Sequence, residues 1–371
     1  RYRYGLFKQK FENGFQEELP DDWQSFGDPW GVRRENEVRI VKFADGEVRA
    51  VPYDVPIIGK NRVNALRLYQ AEGSEGAEKI SEYLYPADDT EEGKLLRLRQ
   101  EYFLSAAAVG ELVDAYVARH GTDFSAFPAY NAVQLNDTHP VLAIAEFLRI
   151  LTGTYGVSFA KSVRIAEKVF GYTNHTILPE ALECWPQEYL RRLLPEIYTI
   201  LKKLDERQRR EFRRKGVSEE DAAAMRIAKN GAFSMANTAV YVAHRVNGVA
   251  KIHSGILKDS LFRAAYHYTP EKFVNVTNGI TQRRWLMLCN EELSALIDRK
   301  IGTGWRGDIG QLSEMKKFRK EEDVLAEFAQ IKAKKKEQLA EYIFRKEGIR
   351  LLPDAVVYAQ VKRLHEYKRQ L

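Results

Sequence analysis

The chain has 371 residues, enough for about two or three domains, with 44% hydrophobic and 30% charged residues. That balance excludes a disordered tail, a collagen-like rod and a coiled coil. The net charge of +6 is localised: residues 331–371 hold eleven Lys or Arg against five Asp or Glu, so the rest of the chain is neutral.

In chain order, strand-like segments come first. Residues 37–43 and 47–53 flank Ala44-Asp45-Gly46, an Asp-Gly hairpin signal, and 63–69 is a further strand candidate. From Glu92 the period becomes helical, with Leu95, Leu98, Tyr102, Ala106, Val109 and Val113 on one face and Gly121 as a stop. A short strand at 133–135 breaks into Asn136-Asp137-Thr138-His139-Pro140, and a helix follows to about Leu151. A helix near 160–168 leads to a strand at 169–172 and then to Asn174-His175-Thr176. One long helical stretch is predicted over 187–215. A strand at 273–276 ends in Thr277-Asn278-Gly279, helices resume at 282–301 and 322–347, and 355–361 reads as a closing apolar strand. Strands alternating with helices predict an α/β fold with parallel sheet.

Targeting and redox signals are few. The longest apolar stretches, such as 105–113, are too short for a membrane span, and residues 1–10 have no apolar signal region. Cys184 and Cys289 make no disulfide framework, which points to a reducing compartment. The Asn-x-Thr triplets at Asn136, Asn174 and Asn275 read as coincidence.

Three segments share one placement: a short buried strand ends and amide, hydroxyl and imidazole groups follow. Ligands of open α/β sheets bind beyond the carboxyl ends of strands, so these groups suit a polyhydroxylated ligand. Turn and cap chemistry is the better account of any one of them alone, and only the shared placement of all three brings the ligand reading level with it. A fourth segment, Lys362-Arg363-Leu364-His365-Glu366-Tyr367-Lys368-Arg369, follows the predicted strand at 355–361 with four cations. It suits phosphate, or else a solvated basic helix face. Gly302-Thr303-Gly304-Trp305-Arg306-Gly307 follows a helix rather than a strand, which argues against a dinucleotide fingerprint. The acidic run Asp88-Asp89-Thr90-Glu91-Glu92 is either a carboxylate pair or a solvated loop before a helix. No metal-ligand spacing occurs among the seven histidines, so no metal is expected.

Taken together, these segments resemble the α-glucan phosphorylases that act on glycogen, starch and maltodextrin. The resemblance is carried by Arg3-Tyr4-Gly5-Leu6-Phe7, Leu84-Tyr85-Pro86, Arg97-Leu98-Arg99-Gln100-Glu101-Tyr102-Phe103, Gln134 to Pro140, Tyr172 to Glu183, Val246 to Ser254, Thr277 to Thr281 and Val361 to Leu371. It implies two Rossmann-like domains of the GT-B glycosyltransferase type: most of an N-terminal domain at 1–276 and the start of a C-terminal cofactor domain at 277–371. It implies retaining phosphorolysis of terminal α-1,4-glucosyl units by inorganic phosphate, giving glucose 1-phosphate, with pyridoxal phosphate as cofactor.

By the same resemblance Arg363 and Lys368 would hold substrate phosphate, and Lys362 would lie near the cofactor phosphate. His175, Asn278, Tyr367 and Glu180 would contact the glucosyl unit, with the His175 carbonyl facing the developing positive charge. Asp137 and His139 would support that pocket, Asp88 and Asp89 would lie on a gating loop, and His365 would pack nearby. A cytoplasmic homodimer is the family's expectation, with neither nucleic acid nor membrane as partner. Departures are Ala87 where Asn is usual, Gln282 where Pro is usual, and a short 70–83 stretch that weakens the dimer expectation. The cofactor's Schiff-base lysine is expected beyond Leu371, so the chain alone is expected to be inactive. The alternatives are a catalytically incomplete glucan- or phosphate-binding relative and a basic nucleic-acid-binding module, the latter without aromatic stacking residues to support it.

Overall fold

In a computed structural model that describes residues 1–4, 7–20, 22–73, 76–86, 89–352 and 355–359, the chain divides into the units Arg1–Asn278 and Gly279–Leu371. The first opens with a hairpin that the sequence reading missed. Strands β1 (Phe7–Glu12) and β2 (Phe15–Pro20) pair antiparallel about Asn13 and Gly14, both at positive φ, 53° and 81°. A two-residue loop of that twist suits strands of right-handed twist, and Asn-Gly is its usual sequence.

β3 (Val32–Arg33), β4 (Arg39–Phe43), β5 (Gly46–Ile58) and β6 (Val63–Glu72) form an antiparallel sheet centred on β5. The expected hairpin is there. Phe43 pairs with Gly46, leaving Ala44 and Asp45 as the loop. Val41, Phe43, Val48 and Ala50 turn inward against helix α1 (Glu91–His120). Thr90 caps α1, its hydroxyl accepting from the Gly93 N–H at 3.1 Å, and Gly121 ends it at φ 72°. One face of α1, including Leu98, Tyr102, Phe103 and Val113, is fully buried. Each such side chain contributes on the order of 2 kcal/mol of burial.

The rest of this unit is α/β. After the single turn α2 (Phe127–Tyr130) come β7 (Val133–Asn136), α3 (Leu142–Arg149), α4 (Phe159–Val169) and β8 (Phe170–Thr173). β9 (Cys184–Pro186) leads into α5 (Gln187–Leu193) and α6 (Pro195–Lys215). The single helix expected over 187–215 is therefore two. Leu194 precedes Pro195 and takes φ −137°, ψ 61°, because the proline ring disfavours helical geometry at the residue before it. α7 (Glu219–Met225), β10 (Ala228–Lys229), β11 (Ala232–Ser234) and α8 (Met235–Val242) follow, with β10, β11 and β9 in a small antiparallel sheet. β12 (Arg245–Gly248), α9 (Lys251–Ile256), α10 (Arg263–Tyr268) and β13 (Phe273–Asn275) complete the unit.

β7, β8, β12 and β13 make one parallel sheet, neighbours in chain order. Parallel strands are buried on both faces, and Phe170, Tyr172 and Val246 are wholly enclosed. Two glycines allow close approach, and Gly248 is the one that backbone contact demands. A Cβ on Gly171 would lie 2.4 Å from Gln134 Oε1 on the neighbouring strand. On Gly248 it would lie 2.5 Å from Ser254 Oγ and 3.0 Å from the Ser254 backbone, so α9 could not sit against β12.

In the second unit a π-helical turn at Arg283–Leu288 and helix α11 (Glu291–Ile301) replace the one helix expected over 282–301. Asn290 separates them as a cap, its Oδ1 accepting from the Leu293 N–H at 3.2 Å. Helix α12 (Glu322–Glu347) has the expected bounds and shares a small apolar cluster of Leu296, Val324 and Ile331 with α11. The strand expected at 355–361 is not found at 355–359, where Val356 and Tyr358 are exposed. The Gly279–Leu371 unit has no other strand, among the described residues, to pair its backbone groups. Nor is any helix among the described residues long and apolar enough to cross a membrane. The whole is a mixed α/β structure with parallel and antiparallel sheets.

Candidate functional site

The carboxyl ends of the four parallel strands gather the polar groups that follow them. Gln134 on β7 donates to Thr173 Oγ1 on β8 at 2.9 Å, and Thr173 donates to Asn247 Oδ1 on β12 at 2.9 Å. One residue on, the Asn174 N–H donates to the Asn247 carbonyl at 3.0 Å and the Asp137 N–H to the Thr173 carbonyl at 3.0 Å. These bonds prolong the ladder past the sheet, so the next side chains emerge in fixed directions.

His175 Nε2 bonds Asn136 Oδ1 across the strand ends. Its oxygen partner requires the proton on Nε2, and the ring is exposed. Asn174 is fully buried. It donates through Nδ2 to the Tyr172 hydroxyl at 3.2 Å and accepts at Oδ1 from His253 Nε2 at 3.0 Å. His253 Nδ1 accepts from the Val249 N–H at 3.1 Å. Its tautomer is thereby set, and burial lowers its pKa, which keeps the ring neutral. The strap after β13 closes this edge: Val276 N–H donates to the Gly248 carbonyl at 3.2 Å and Asn278 N–H to the Val249 carbonyl at 2.9 Å. Asn278 thus stands at the end of β12 with its side chain exposed.

Asp137 takes φ 70°, a strained value for a non-glycine residue, and its carboxylate accepts from the Thr138 N–H at 2.8 Å. His139 bonds Glu183 through Nδ1 at 2.7 Å, with Nε2 4.0 Å from Asp137. Behind this pair lies Glu101, 4% exposed, which accepts from the Trp185 indole N–H at 3.0 Å. Arg97 reaches Glu101 at 3.1 Å and Glu183 at 3.6 Å. Burial, then the adjacent Glu183 carboxylate, push Glu101 well above the usual carboxyl range, so it keeps its proton. Burial also acts upward on Glu183, but His139, Glu101 and Arg97 outweigh it and hold it low and ionised. Glu101, His139 and Glu183 have the spacing of a three-ligand cation site, yet the cation set against those carboxylates is Arg97.

The structure therefore brings His175, Asp137, His139 and Asn278 to one sheet edge. Glu180 lies on an exposed turn, Pro179–Ala181, and Asp89 on the exposed loop before α1. Asp88, Lys362, Arg363, His365, Tyr367 and Lys368 lie outside the described residues. Reading the residues one segment at a time missed β12 with Asn247 and His253, and the Arg97–Glu101–Glu183 cluster. Val246-Asn247-Gly248 repeats the apolar-then-amide pattern of the other strand ends and was the available signal.

Comparison with known proteins gives concordant matches. The family described as carbohydrate phosphorylase matches residues 1–371. The chain is 39% identical over 423 residues to the H isozyme of α-glucan phosphorylase from Triticum aestivum, covering all of this chain and 50% of the relative. It is 38% identical over 420 residues to the liver form of glycogen phosphorylase from Homo sapiens (100% and 49%). It is 36% identical over 416 residues to glycogen phosphorylase from Chlamydia pneumoniae (100% and 50%). The chain spans about half the length of the curated relatives it matches.

Proposed function

Since the chain belongs to the carbohydrate phosphorylase family, we propose that it is part of an α-glucan phosphorylase. The reaction transfers a terminal α-1,4-linked glucosyl unit to inorganic phosphate with retention. The bond from C1 to the glucan oxygen breaks, C1 bonds a phosphate oxygen, and the phosphate proton passes to the leaving oxygen. The observation that supports this most is the convergence of His175, Asp137, His139 and Asn278 on one parallel-sheet edge.

Sugar hydroxyls need partners whose donors and acceptors do not rotate away. Asn136 orients His175, Glu183 orients His139, and the strap through Val249 holds the Asn278 backbone. In this reading His175, Asn278, Glu180 and Tyr367 take the glucosyl unit, with Asp137 and His139 supporting its pocket. The His175 carbonyl opposes positive charge at C1. Asp88 and Asp89 belong to a gating loop that excludes water, with His365 nearby. Arg363 and Lys368 hold phosphate and Lys362 the cofactor phosphate. The cations of 362–369 match phosphate dianions in charge. Pyridoxal phosphate, when bound, supplies a phosphate that assists proton transfer. The finer architecture of the reading is a GT-B pair of Rossmann-like domains, 1–276 and 277–371, in a cytoplasmic homodimer.

The test uses the longest product of the reading frame, incubated with maltodextrin, inorganic phosphate and pyridoxal phosphate. Glucose 1-phosphate should accumulate in proportion to chain ends consumed. Maltodextrin binding without any product would instead identify a catalytically incomplete relative.

A further inference from the structure

The opposite end of the parallel sheet has different chemistry. Beneath the starts of β12 and β13 lies a cavity of about 320 Å³, at the lower end of the range for small-molecule pockets. Phe212, Val217, Val240 and Ala265 give it apolar walls, and Lys272 reaches it from the residue before β13. Candidate sugar-binding groups lie at the far ends of the same strands. The four residues of β12 put about 13 Å between the two places.

The ions around the cavity are unequally matched. Glu211 is held by Lys215 at 2.8 Å and by the Tyr241 hydroxyl at 2.9 Å, and Glu167 by Arg207 at 3.1 Å. Lys272 instead donates to two backbone carbonyls, Val240 at 3.2 Å and Tyr241 at 2.8 Å. Among the described residues no carboxylate oxygen lies within 4.0 Å of its ammonium, and the third N–H has no protein acceptor. Burial lowers the Lys272 pKa, against the more distant pull of Glu167, Glu211 and Glu271. A half-buried ammonium without a counterion is costly, and an anion in the cavity would relieve that cost. Exposed Glu271 beside it disfavours a second negative charge.

We propose that this cavity binds a small organic monoanion with an apolar body, an aromatic carboxylate, its carboxylate on Lys272 and its ring among Phe212, Val217, Val240 and Ala265. The site is separate from the sugar-binding edge and does not depend on the phosphorolysis reading.

Calorimetric titration of the 371-residue protein with 1-naphthoate, 1-naphthalenemethanol and 1-naphthyl phosphate tests it. Naphthoate should bind about tenfold tighter than the neutral alcohol, the size of one charged hydrogen bond, and tighter than the phosphate. Lys272→Met should erase the preference over the alcohol, and Lys272→Arg should keep it. Met225→Trp, which fills the cavity from α7, should abolish binding of all three. Equal binding of naphthoate and alcohol to the unaltered protein, or no saturable binding, would overturn the site even if Lys272→Met fails to fold. Displacement of naphthoate by maltodextrin would also overturn it, by moving the ligand to the sugar edge.

Discussion

The two large sheets of the Arg1–Asn278 unit use polar side chains in opposite ways. In the antiparallel sheet the charges satisfy one another. Arg67 on β6 grips Asp54 on β5 with two bonds of 2.7 Å and reaches Glu37 and Glu111 at 2.6 Å, while Arg34 adds a bond to Asp54 at 2.8 Å. At the parallel-sheet edge the groups are amides and imidazoles beside one carboxylate, Asp137. Directed bonds orient them, several at buried Asn174 and one from His175 to Asn136, and exposed members such as His175 and Asn278 keep donors or acceptors for a ligand. A closed ion-pair lattice stabilises, whereas an oriented but unsaturated row is left open to a ligand.

Substitutions can break that contrast. The largest effect is expected for His175→Ala: glucose 1-phosphate formation should fall by roughly a hundredfold or more, with the melting temperature nearly unchanged. A parallel loss of stability would make His175 a structural residue. Arg67→Met should do the reverse. Asp54 loses its bidentate partner while still buried, so urea unfolding should show a loss of about 2 kcal/mol, with glucan binding intact.

The acid limb gives an independent check. Arg67 and Arg34 hold the Asp54 pKa down to about 2 from its ordinary 3.8. A lowered carboxyl pKa adds stability above the ordinary value and loses it as pH falls toward the folded one. Between pH 4 and pH 2 the unaltered chain should therefore lose stability more steeply than Arg67→Met.

Asn174→Leu sharpens the comparison from the other side. It leaves His253 Nε2–H without its acceptor and should cost about 1–2 kcal/mol, with loss of sugar binding. The smallest effect belongs to Glu101→Gln. A carboxyl pKa raised on folding costs stability as pH climbs toward that pKa. Removing the acid should therefore make thermal stability flatter as pH rises above the ordinary carboxyl range.

What was legible in the sequence follows from locality. β8 and β13 are apolar until they stop at Thr or Asn, and β7 ends on Leu135-Asn136, so their ends could be read one at a time. β12 has a single apolar residue, Val246, between Arg245 and Asn247. Its burial comes from the strands on either side, which no short window contains. Glu101, Glu183 and Trp185 meet across more than eighty positions, and Glu101 holds its proton only once burial raises its pKa. The Leu194–Pro195 break was local and readable, but helical periodicity on both sides masked it.

The chain-order arrangement of the parallel strands has a kinetic consequence. β7, β8, β12 and β13 lie side by side in the order in which a ribosome would release them. Each emerging strand finds its neighbour already synthesised and its edge still free, so no earlier pairing must open to admit a later strand. Parallel pairings are slow to find because the intervening chain must first be closed into a loop. Here that delay is met one crossover at a time, and the sheet can be laid down during translation.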